Sequence, residues 1–163
     1  MAKIKIQKQR IELFEILGKE FKMSNSKVGS IIIEQGFDFL ALISHGNEKT
    51  IEVLDKIYRK EATMMKFINK LDECVGNITE SEIRVSFKIN KHLKKLISLL
   101  VDEFSYSEEY IIDFIIDKSI KFLTNIPKGD DKVIDYSNEI REDNDAMRII
   151  NKLREWWEAG AEK

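Results

Sequence analysis

The chain has 163 residues, 43% of them hydrophobic and 34% charged, which suits a globular helical protein and excludes a disordered or membrane-embedded class. Its formal net charge is −2, so total charge does not mark a nucleic-acid binder, and its single cysteine, Cys74, excludes an intrachain disulfide or a cysteine zinc cluster. One proline and seven glycines leave little room for an all-β architecture.

In chain order, Ala2–Gln7 alternates apolar and polar residues, the period of a half-buried strand. Helical spacing follows over 9–22, then a short turn, then a second helix over 25–44 for which Ser24 is a natural N-cap. The stretch 47–75 carries Ile51, Leu54, Tyr58, Met64, Phe67, Ile68 and Leu71 at helical spacing. It is expected to form one amphipathic connector helix of about 40 Å, closed by Gly76 and Asn77. Arg84–Ile89 alternates again, with Val85, Phe87 and Ile89 on one side. Two further helices run to about Leu123, separated by Ser105-Tyr106-Ser107. A turn at 125–130 leads into an acidic helical tail with Trp156 and Trp157 near its end.

The N-terminal part and the part beginning at Arg84 resemble each other. At a constant interval of 83 positions, Ile6 falls on Ile89, Leu13 on Leu96, Phe21 on Phe104, Ser24 on Ser107 and Phe39 on Phe122. Across 4–43 and 87–126, 13 of 40 pairs are identical. A strand, a turn and a helix pair that recur together at one interval are much stronger evidence of a repeat than shared helix periodicity alone. Four stretches result: a first strand-helix-helix unit at 1–44, a helical connector at 45–82, a second unit at 83–126 and the tail at 127–163. Pairing the first strand with Arg84–Asn90 would remove the unpaired edge that each has alone.

Positive charge is local. Residues 1–11 hold Lys3, Lys5, Lys8 and Arg10 with no acid, and residues 83–101 hold Arg84, Lys88, Lys91, Lys94 and Lys95 with none. Such a patch is the electrostatic footprint of phosphate contact.

The strand, helix, turn and helix, with turns Lys22-Met23-Ser24-Asn25-Ser26 and Ser105-Tyr106-Ser107-Glu108-Glu109, resemble the ribbon-helix-helix family of Arc/MetJ type. The resemblance covers about half the chain. It implies a mainly α protein in which two ribbon-helix-helix units share a two-stranded antiparallel ribbon. It also implies a sequence-specific partner, double-stranded DNA, whose major groove admits such a ribbon. By resemblance, the outward residues Lys3, Lys5, Gln7, Arg84, Ser86 and Lys88 would read bases. Lys8, Ser24, Asn25, Ser26, Lys27 and Ser107 would contact phosphates, since a helix N-terminus favours an anion. The family glycine before the cap is absent from both turns, and Glu108 and Glu109 would repel a phosphate at the second.

The expected role is transcriptional repression. The alternatives are an accessory factor in plasmid transfer or partition, and a protein–protein interaction module without DNA binding. Self-association could use the connector helix or the Trp156/Trp157 tail. His45 and His92 stand apart from any second histidine or cysteine at metal spacing, and no glycine-rich phosphate loop occurs. The chain is therefore expected to be no enzyme and to hold no cofactor and no metal. No apolar run approaches a membrane span and no signal peptide is evident, so a cytoplasmic protein without a membrane partner is expected.

Overall fold

Alternation in Ala2–Gln7 (β1) and Arg84–Ile89 (β2) produces the two strands, and they pair antiparallel with each other within one chain. The computed structural model describes residues 2–76 and 83–161; Asn77, taken above as part of the connector's end, lies outside them. Everything else of regular structure in the described residues is helical. No helix among them is long and apolar enough to cross a membrane.

After β1 come α1 (Lys8–Phe21) and α2 (Asn25–Leu42); after β2 come α5 (Lys91–Phe104) and α6 (Glu108–Asn125). Each helix pair turns through a non-glycine residue in the left-handed region, Lys22 at φ 56° and Ser105 at φ 57°. These two positions are where the resemblance would place glycine. The hydroxyls of Ser24 and Ser107 then accept from the backbone N–H of Lys27 and Tyr110, each at 3.1 Å, so both second helices start on a capping serine.

The connector is not one helix. It divides into α3 (Asn47–Val53), which runs on through a π-turn at Leu54–Tyr58, and α4 (Ala62–Val75). The break at 59–61 is stabilised by Glu61, whose carboxylate accepts from Thr63 N–H and caps α4. The tail likewise divides into α7 (Asp130–Arg141) and α8 (Asn144–Ala161).

Connector and tail correspond to one another. A 3-10 turn, Ile43–His45, precedes Gly46 at φ 98°; a 3-10 turn, Ile126–Lys128, precedes Gly129 at φ 111°, again 83 positions later. Both glycines hold a backbone conformation that L side chains rarely adopt. Beyond the π-turn the interval becomes 82. Met65-Lys66-Phe67-Ile68-Asn69-Lys70-Leu71-Asp72-Glu73 then aligns with Met147-Arg148-Ile149-Ile150-Asn151-Lys152-Leu153-Arg154-Glu155, six of nine identical. The buried positions agree: Thr50, Leu54 and Tyr58 in α3 and its π-turn, Val133, Ser137 and Ile140 in α7. One extra residue between Leu54 and Tyr58 is what a π-turn accommodates.

Reciprocal contacts follow. The Arg59 guanidinium pairs with Asp130 at the start of α7, and Arg141 donates to Asn47 at the start of α3 and to the Ile43 carbonyl at 2.8 Å. Helix α4 packs on α1 and α6, while α8 packs on α5 and α2. At the centre α2 crosses α6. The Ser119 hydroxyl donates to the Ile32 carbonyl, and a Cβ on Gly36 would lie 2.6 Å from that of Ser119. Phe39 and Phe122 stack beside it with ring centroids 3.9 Å apart. One hydrophobic core runs through the strands and all these helices.

Candidate nucleic-acid interface

The register of the ribbon decides which side chains share a face. Lys3 lies opposite Lys88, Lys5 opposite Ser86, and Gln7 opposite Arg84. The six residues selected for base contact therefore form three cross-strand pairs on one face. Ile4, Ile6, Phe87 and Ile89 are buried on the other, against the helices, with Val85 half-buried.

The six are not equally available. Lys3, Lys5, Ser86 and Lys88 are exposed. At the far end Arg84 forms an ion pair with Asp113 of α6 and donates to the Lys5 carbonyl at 3.2 Å. Gln7 reaches the same Asp113 carboxylate at 3.5 Å. That acid lies outside the stretches chosen from the sequence and holds two of the six side chains. In sequence it looks like an ordinary charge on a helix face; only the fold shows where it points.

Beside the ribbon an open cleft of about 480 Å³ lies at the start of α2, lined by Ser24, Ser26, Lys27, Asn90 and Lys91 and, further along the helix, by the carboxylate of Glu34. Ser26 donates to the Lys88 carbonyl at 2.6 Å, which fixes the helix start to β2. Thus Ser24, Ser26 and Lys27 come together, and Asn25 lies half-buried between them. Lys91 and Asn90 join them from the other half of the chain. Lys91 belongs to the basic stretch noted in the sequence, though not to the assigned phosphate contacts, and is the residue 83 positions after Lys8; Asn90 is new to the site. Lys8 is exposed where β1 meets α1, and its backbone N–H donates to the Ile83 carbonyl at 2.9 Å.

The start of α6 has the opposite chemistry. Its first turn carries Glu108 and Glu109, whereas the first turn of α2 carries no acid. Glu108 is ion-paired with Lys94, so that lysine is partly neutralised. Ser107 is exposed and its hydroxyl caps the helix.

Both histidines meet α8. His45 meets Glu158 at 2.8 Å, and the rings of His92 and Trp157 are 6.0 Å apart. Trp157 packs on Phe37 and donates through Nε1 to Asp38 at 2.7 Å, while Lys152 sits over Trp156. Burial raises the Asp38 carboxyl above its ordinary value; the Trp157 hydrogen bond opposes the rise and nearby Glu34 adds to it. Much of the tryptophan surface considered for self-association is therefore engaged within the chain. Comparison with protein-family models, curated proteins and solved structures gives no match to this chain.

Proposed function

We propose that this chain is a two-copy ribbon-helix-helix protein that binds double-stranded DNA sequence-specifically, with transcriptional repression as its role. The observation that carries the reading is the ribbon register, which gathers Lys3, Lys5, Ser86 and Lys88 on one exposed face. A two-stranded ribbon of this kind fits the major groove, and lysine and serine can bond to base edges there. Further support comes from the left-handed turns at Lys22 and Ser105, which reproduce the backbone a glycine would give in the family turn, and from the two capping serines.

Phosphate contact is assigned to Lys8, Ser24, Asn25, Ser26 and Lys27, with Lys91 added from the cleft. Ser107 is the weaker candidate, because Glu108 and Glu109 follow it. A role in plasmid transfer or partition would use the same contacts on a different duplex. The interaction-module alternative draws on the Arg84–Asp113 and Lys94–Glu108 pairs, which reduce the free positive charge near the ribbon.

Selection from a pool of random duplexes at moderate salt tests the reading. Wild type should enrich a defined site and Lys5→Ala/Lys88→Ala should lose the enrichment. Wild type that binds no duplex even at low salt would move the search to protein partners.

A further inference from the structure

The backbone has an approximate twofold, and the ribbon shows where its axis passes. Ile4 pairs with Phe87, 83 positions later, so this pair is its own counterpart. Rotation about the axis exchanges Lys5 with Lys88 and Lys3 with Ser86. The first exchange replaces like with like. The second replaces a long cationic donor with a short neutral hydroxyl.

The flanks break the symmetry in the same sense. On the side of α2 the first turn is free of acid and carries Lys27, where α6 carries Tyr110; Lys91 beside it has its own counterpart in Lys8, and Glu34 lies further along the cleft. On the side of α6 the first turn holds Glu108 and Glu109, and Lys94 is bound to the former. Two carboxylates repel a phosphodiester, whereas an acid-free helix start with a lysine attracts it.

We infer that the DNA site is an imperfect inverted repeat bound in one orientation. Lys5 and Lys88 contact matching base pairs in its two halves, Lys3 and Ser86 contact non-matching ones, and the backbone is held more tightly on the α2 side. This rests on the DNA-binding reading above. The chemistry of the mismatch is specific. Lysine only donates and favours the paired acceptors of guanine, while a serine hydroxyl donates or accepts and reaches less far.

The experiment is duplex selection followed by hydroxyl-radical footprinting. Wild type should enrich sites whose halves agree at one position and differ at the next, with stronger sugar-phosphate protection on one half. It should prefer that site over either perfect palindrome built from its halves by about tenfold, the scale of one good base contact. Ser86→Lys should shift the enriched site towards a perfect palindrome of one half, and Lys3→Ser towards a palindrome of the other. Glu108→Asn/Glu109→Ser should even out the protection. If wild type enriches a perfect palindrome with equal protection, the inference fails while the ribbon reading stands. If it enriches no duplex, the ribbon reading fails and this inference goes with it.

Discussion

Ile4 lies directly opposite Phe87 in the ribbon, and the interval between them is the one that separates the stacked rings of Phe39 and Phe122. Strand pairing and helix crossing thus share one axis. Around that axis, size is compensated across the halves. A Cβ on Gly29 would meet the Phe87 ring at 2.6 Å, whereas the counterpart positions hold Ile112 and Ile4. The larger strand residue faces the smaller helix residue.

The crossing of α2 and α6 depends on the missing side chain at Gly36. Gly36→Ala should destabilise the protein by about 1–3 kcal/mol through overpacking. Urea unfolding in a Ser119→Gly background should show most of that loss recovered. Equal losses in both backgrounds would exclude the Gly36–Ser119 contact as the cause.

Lys22 and Ser105 hold left-handed backbones without being glycine. Lys22→Gly and Ser105→Gly should each stabilise the fold by about 0.5–1 kcal/mol, because the Cβ clash disappears. Lys19→Gly, inside α1, serves as the control and should destabilise by about 1 kcal/mol. A loss of stability at Lys22 or Ser105 would contradict the account of the two turns.

Asp38 offers a pH signature. Its folded pKa is raised above 3.8, so ionisation is harder in the folded state. The contribution from its neutral form is complete below 3.8 and is lost as pH rises through the folded value. Asp38→Asn keeps an acceptor for Trp157 and cannot ionise. Its stability relative to wild type should therefore grow as pH rises from about 3.8 through the folded value and then level off. Unfolding curves over that range measure it; a difference that shrinks with pH would reverse the assignment.

Asp113 pairs with Arg84 and meets Gln7 at 3.5 Å, so on the DNA-binding proposal it competes with the duplex for both. Asp113→Asn should bind duplex more tightly at low salt. Its plot of log K against log salt should steepen by about 0.9 if the freed guanidinium reaches one phosphate. Weaker binding would mean that Asp113 positions Arg84 for the duplex.

The π-turn predicts an unusual tolerance. Deleting Lys56 should let α3 continue as an ordinary helix in the register of α7, at a cost of about 1 kcal/mol or less, including the exposed Lys56–Glu52 pair. Deleting Glu34, an exposed residue in the middle of α2, should cost far more, since the core positions after it would rotate out of register. Thermal unfolding of the two deletions compares them directly.

The ribbon and the four helices next to it were legible because their periods, two and then 3.6, are undisturbed. Connector and tail were not recognised as counterparts, and the reason is local. The extra residue between Leu54 and Tyr58 changes the interval from 83 to 82, so the matching segments beginning at Met65 and Met147 fall out of line. The same continuous apolar spacing made α3 and α4 look like one helix, because hydrophobic periodicity does not register a break capped by a single glutamate. On the candidate interface, strand alternation located the four exposed ribbon residues. It could not locate Asp113, whose relation to the ribbon exists only once α6 is packed; Lys91 was legible in the basic stretch and in its interval of 83 from Lys8.

The pairing of β1 with β2 also sets a timetable for synthesis. β1 leaves the ribosome well before the strand it needs, which begins at Arg84. At about 5–20 residues per second that partner arrives several seconds later. Until then the first half exposes an unpaired edge and the apolar side of Ile4 and Ile6. A nascent chain halted in the connector would therefore be a substrate for chaperones, and release of the second half would end that need.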